Sequence, residues 1–240
     1  MTEAVAEPAA PRQASWSVGW PALAFVCGLV GSVVLALPLL VIDDDPERSL
    51  PLVVATMVGL WIGYGAVIAF TLAKRNANWS RDLGFAFARS ELVIGAGAGL
   101  GSWIGTGALY ALLDAAGLID LDSIDNPAKE LADLAHGASF AVLVLFIAVG
   151  APIFEELFFR GFLQRPLVRN LGALPGVTVG GLIFGISHFQ PVQTIGLVAF
   201  GWVLGALAHS TGRLGASIVA HMVFNGSTMV VLFLSRGAPG

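Results

Sequence analysis

Residues 138–163 read ASFAVLVLFIAVGAPIFEELFFRGFL. The run is apolar and long enough to cross a bilayer, whose hydrocarbon core takes about 20 helical residues. Inside it stand Glu155, Glu156 and Arg160. A charged residue at mid-bilayer costs on the order of 2.5–3.5 kcal/mol on insertion scales, so such groups face a protein interior or a wet cavity and mark a site. The chain is therefore read outward from one charged membrane span.

The rest of the sequence agrees with a membrane setting. Of 240 residues, 56% are hydrophobic and 12% charged, with a mean hydropathy of +0.83, well outside the range of soluble domains. Further apolar runs near 18–42, 52–73, 92–113, 173–189, 193–209 and 214–235 read as additional spans. The expected fold is an all-α polytopic membrane protein, a bundle of about seven to eight transmembrane helices, integral to the cell membrane and surrounded by lipid. Residues 1–15 hold Glu3, Glu7 and Arg12 among Ala and Pro. They read as a short disordered tail rather than a cleavable signal.

Several function classes drop out. The net charge is −4 and no basic run is present, so nucleic acid is not an expected partner. The lone Cys27 rules out an internal disulfide framework and a multi-cysteine zinc site. Gly95-Ala96-Gly97-Ala98-Gly99-Leu100-Gly101 superficially resembles a phosphate-binding loop but lacks the Lys-Ser/Thr ending. Small residues that let two helices approach closely are the preferred explanation.

Charge sets the expected orientation. Lys74, Arg75, Arg81 and Arg89 follow the second span, and Arg165, Arg169 and Arg213 follow the fourth and sixth. The loop after the third span has Lys129 against Asp114, Asp120, Asp122, Asp125, Glu130 and Asp133. The loop after the first has Arg48 among Asp43, Asp44, Asp45 and Glu47, and Arg236 is the residual exception. With the N-terminus cytoplasmic, the basic clusters share the inner side. Seven passes and an outer C-terminus follow. The first three spans contain no Asp, Glu, Lys, Arg or His, and every buried ionisable candidate falls between 155 and 221. Residues 16–137 are thus expected to be scaffold, and 138–235 the working core.

The chemistry can be read from spacing. Glu156 and Arg160 are four apart and can pair on one helical face. Glu155 is turned by about 100° and is left free for proton transfer. A helix-end salt bridge at the interface would give the same residues a purely structural meaning. Phe184 and His188 share a face of the next span, and His221 and Asn225 share a face of the last. With a turn at Gly172, Glu156 and His188 lie at equal distances from it and hence at similar depth. Simple span counting instead puts His188 near the outer end; a fourth helix running on toward Arg169 would reconcile the two. A glutamate in a low-dielectric setting can accept a proton from water, with a histidine opposite to orient it. A second histidine and an asparagine can donate to the oxyanion of a tetrahedral intermediate. The inventory suits amide hydrolysis, although His221 and Asn225 could equally be interhelical packing bonds.

Glu155-Glu156-x-x-x-Arg160, Phe184-x-x-x-His188 and His221-x-x-x-Asn225, in that order over residues 138–235, resemble the CPBP intramembrane metalloprotease family. That family holds the type II CAAX prenyl endopeptidases and the bacterial Abi-like proteins. The resemblance implies an intramembrane protease in which Glu155 and His188 activate water and His221 and Asn225 stabilise the oxyanion. Glu156 and Arg160 would tune and position. It implies a peptide or protein substrate, lipid-modified or not, entering from the bilayer. No cofactor is expected on the glutamate reading. The family is also described as metal-dependent, so a zinc hydrolase with His188, His221 and a glutamate as ligands is the nearest alternative, without an HExxH helix. A non-enzymatic immunity, binding or proton-relay protein is the alternative of another class.

Overall fold

A computed structural model describes residues 16–42, 49–121, 127–135 and 137–235. The tail at 1–15, the acidic loop at 43–48 with Arg48, the acidic residues Asp122 and Asp125, and Arg236 lie outside the described residues. Among those described there is no strand. Eight helices follow in order: α1 Gly19–Ile42, α2 Leu50–Arg75, α3 Arg89–Ala115, α4 Pro127–Asp133, α5 Ala138–Leu171, α6 Ala173–Ile186, α7 Thr194–Thr211 and α8 Gly215–Ser235. Six of them are long and apolar enough to cross a membrane: α1, α2, α3, α5, α7 and α8. The protein is a multi-pass helical membrane protein.

The helix ends have local causes. Ser49 caps α2 by accepting from the Leu52 N–H at 3.4 Å, and Asn76 closes it in the left-handed region at φ 52°. Glu91 accepts from the Ala88 N–H at 2.8 Å and secures the start of α3. Gly172, at φ 88°, makes the one-residue turn between α5 and α6.

Two spans differ from expectation, and the difference sets where His188 stands relative to Glu156. The fourth span does not stop at 163: α5 runs 34 residues to Leu171, about 51 Å at 1.5 Å per residue. The fifth does not reach 189: α6 has 14 residues, about 21 Å, short of a full crossing. The long α5 and the turn at Gly172 together bring the end of α6 back to mid-α5.

Helix α5 is not uniform. It is π-helical at Leu145–Gly150 and again at Leu157–Leu163, with α-helical Ala151–Glu156 between. Such insertions recur at functional sites. Pro152 has no N–H to give, and the Ala151 N–H already reaches back to the Phe146 carbonyl. The Ile147 carbonyl is thereby left without a helical partner, and Asn225 of α8 donates to it at 2.9 Å. Pro166 likewise withholds an N–H from Phe162, whose carbonyl accepts from the buried Trp16 indole at 2.9 Å.

Packing follows small residues. A Cβ on Gly95 would meet the Ala216 carbonyl and one on Gly99 the Ala220 carbonyl, so α3 and α8 touch backbone to backbone. That is the use of the glycine run. The core is aromatic, with Tyr64 and Phe158 stacked at 4.1 Å between ring centres. The loops after α2 and α7 and the C-terminal part of α5 meet at one end of the bundle: the Leu214 N–H donates to the Gly84 carbonyl at 2.8 Å and Arg165 of α5 to the Gly212 carbonyl at 2.9 Å. The basic clusters therefore share an end, as expected.

One expectation needs correcting. Buried ionisable groups are not confined to 155–221, since Asp82 and Glu91 are also buried. Glu91 lies at the first turn of α3, where Arg213 donates to it at 2.7 Å. Arg213 sits in the α7–α8 loop, so the pair joins the front half to the back at the basic end.

Candidate active site

The middle of α5 carries the charged residues. Glu156 is fully buried, and Arg160, one turn on, donates from Nη1 to its Oε1 at 3.0 Å, the pairing predicted from the spacing. Arg160 also donates from Nη2 to the Gly201 carbonyl at 3.0 Å, and its guanidinium lies 4.3 Å from the centre of the Phe184 ring. One turn farther, Gln164 donates to the Gly205 carbonyl at 2.9 Å. Arg160 and Gln164 thus form two rungs that bolt α5 to successive turns of α7. Gln164 belongs to no motif, but its helical spacing from Arg160 could have suggested the second rung.

The histidines come from α8 and from the end of α6. His221 is buried and its Nδ1 lies 3.0 Å from the same Oε1 of Glu156. His188 follows the last turn of α6, and its Nδ1 lies 2.7 Å from the Phe184 carbonyl. Both partners are acceptors, so in each ring Nδ1 carries the proton and donates. The Nε2 atoms point the other way, toward Glu155: Oε2 is 3.8 Å from Nε2 of His188 and 3.9 Å from Nε2 of His221. This oxygen is buried and has no hydrogen-bond partner within the protein. Glu155, His188 and His221 therefore converge on one point that none of them fills.

Phe184 is the keystone of this arrangement. It is fully buried and meets His188 edge-on at 4.6 Å and His221 at 5.7 Å between ring centres. Phe200 meets His221 at right angles, 5.4 Å away. Both imidazoles are held in orientation by aromatic edges as well as by hydrogen bonds.

A cavity of about 510 Å³ opens onto the convergence point. Glu155, His188, His221 and Asn225 all line it, so the four predicted catalytic residues share one chamber. Glu156 and Arg160 stand behind the wall. Asn225 spends one amide hydrogen on Ile147 and keeps a second. Much of the remaining lining is apolar. Met57, Thr106, Tyr110, Leu121 and Leu131 are part of it. These come from the front half, expected to be scaffold alone, and no motif marks them.

As placed, the side chains make no metal cage. Among the described residues no group of three or more His, Cys, Asp and Glu is arranged to hold an ion. The two histidines and Glu155 are of the types zinc accepts, but their present spread leaves that set open.

Residues 137–227 match the family model described as type II CAAX prenyl endopeptidase Rce1-like. The match supports the family recognised from the three motifs and covers all of their residues. No curated protein and no solved structure matches the chain.

Proposed function

We propose, from the place of residues 137–227 in the type II CAAX prenyl endopeptidase Rce1-like family, that this membrane protein is an intramembrane endopeptidase acting through glutamate-activated water. The family supports a CAAX-type endopeptidase in general; the residue roles and the substrate are our reading. The single observation that carries them is the unpartnered Glu155 Oε2 facing two imidazole nitrogens at 3.8 and 3.9 Å.

Those separations are too long for direct hydrogen bonds and suit a bridging water. A water between Glu155 and His188 can donate one hydrogen to Oε2 and the other to Nε2, which is a lone pair because Nδ1–H is engaged by Phe184. Both water hydrogens are then occupied, and an oxygen lone pair is left for the cavity. As that oxygen attacks a peptide carbonyl, Glu155 takes a proton and later passes it to the leaving amine.

His221 has a different role because its Nδ1 donates to Glu156. Its Nε2 lies on the opposite edge of the ring and faces the site; bearing a hydrogen there, it donates to the oxyanion, joined by the second amide hydrogen of Asn225. Glu156 and Arg160 act by holding His221 in place.

The substrate we favour is a peptide with a lipid-modified or strongly apolar end. The chamber is mostly apolar. The test is cleavage of prenylated and unprenylated peptides by purified protein in nanodiscs, beside Glu155→Ala, with and without chelator. Cleavage by wild type that is lost in the variant and kept with chelator supports the proposal. Activity retained by Glu155→Ala, or abolished by chelator and restored by zinc, contradicts it.

A further inference from the structure

The loop that carries His188 is held by a residue outside the family match. After His188 the chain turns sharply: Phe189 has φ 54°, a left-handed conformation costing a non-glycine residue on the order of 1–2 kcal/mol. Its side chain is 73% exposed and offers no packing in return. Thr194 closes the loop locally by donating to the Gln190 carbonyl at 2.7 Å. Helix α7 begins there without a side-chain cap of its own.

Tyr110 of α3 supplies what is missing. Its hydroxyl donates to the Val192 carbonyl at 2.9 Å and accepts from the Gly196 N–H at 3.2 Å. Residues 192 and 196 are four apart, so a continued helix would bond this N–H directly to this carbonyl. The phenol is instead inserted between them and relays the bond. That placement needs a glycine at 196, where a Cβ would lie 2.9 Å from Thr106 Cγ2 and 3.1 Å from the Tyr110 oxygen. Both Tyr110 and Val192 line the cavity, so the relay forms part of the chamber wall.

We infer that Tyr110 is a positioning residue: it keeps the first turn of α7 open and so sets the His188 loop at its distance from Glu155. Without the hydroxyl, the Gly196 N–H and the Val192 carbonyl close on each other. The turn then winds back and draws the loop, with His188, away from the shared water. This rests on the proposed roles of Glu155 and His188.

The test is Tyr110→Phe in nanodiscs, which keeps the ring and removes both bonds. The expected result is a kcat lower by about tenfold with KM within about twofold, since the change acts on the reacting geometry and not on ground-state binding. Tyr110→Phe added to His188→Ala should cause no further loss, because both act through one imidazole. Amide exchange at 188–196 should quicken while exchange in α8 is unchanged. An unaltered kcat with unaltered exchange overturns the inference, as does a full additional loss on the His188→Ala background. Exchange is read without any substrate, so failure of the protease reading shows separately, as absence of product from wild type.

Discussion

Glu156 is the residue that joins the most parts of this site. One carboxylate oxygen accepts from Arg160 and from His221, each at 3.0 Å. Glu156→Gln should leave Arg160 charged and buried without its anion, destabilising the protein by about 3–5 kcal/mol. It should also lower activity, because a neutral amide oxygen holds the His221 Nδ1–H less firmly than a carboxylate does. Thermal unfolding in detergent beside a cleavage assay checks both effects. Phe184→Ala removes the ring that orients two histidines and one guanidinium, and should cost about 3–5 kcal/mol. Phe184→Leu should keep most of that stability yet lose activity, because it fills space without the aromatic edge. The motif residues were legible in the sequence because their charge is anomalous in an apolar run. Tyr110 and the Ile147 carbonyl were not, since a tyrosine at a helix position carries no signal until its partner is known, and Gln164 offered only its four-residue spacing from Arg160.

At the scale of elements, the informative feature is the broken hydrogen-bond ladder of α5. Pro152 frees the Ile147 carbonyl, and Asn225 takes it. Pro152→Ala restores an N–H and allows a regular α-helix, which would rotate Glu155 relative to α8. The expected outcome is a protein at least as stable as wild type with activity reduced by tenfold or more. Unfolding temperature measured beside turnover tests this. The apolar runs located the helices well, because about twenty such residues have few other uses. They misplaced the end of α5 and the end of α6. Polar Gln164, Arg165 and Arg169 look like a loop in hydropathy, yet Gln164 and Arg165 each donate to a carbonyl in or just after α7, at Gly205 and Gly212. His188 likewise continues an apolar run but lies beyond the last turn of α6.

For the whole molecule, the shared basic end fixes which loops face together. In a Cys27→Ser background, cysteines at Ser80 and Ser210 should react with an impermeant maleimide from the same face, and one at Ala116 from the opposite face. Labelling of Ser80→Cys and Ser210→Cys from different faces would contradict the topology. The front half was expected to be inert, and its motifless sequence offered no reason to think otherwise. It nevertheless lines the chamber through Met57, Thr106 and Tyr110, because helices α2 and α3 close the bundle around α5 and α7. The central claim remains the water between Glu155 and His188. The most direct measurement is turnover of a prenylated peptide by wild type and Glu155→Gln in nanodiscs with chelator present. A loss of about 10²–10⁴-fold in kcat with the fold intact is predicted for removal of a general base; turnover by Glu155→Gln near the wild-type rate would contradict the account.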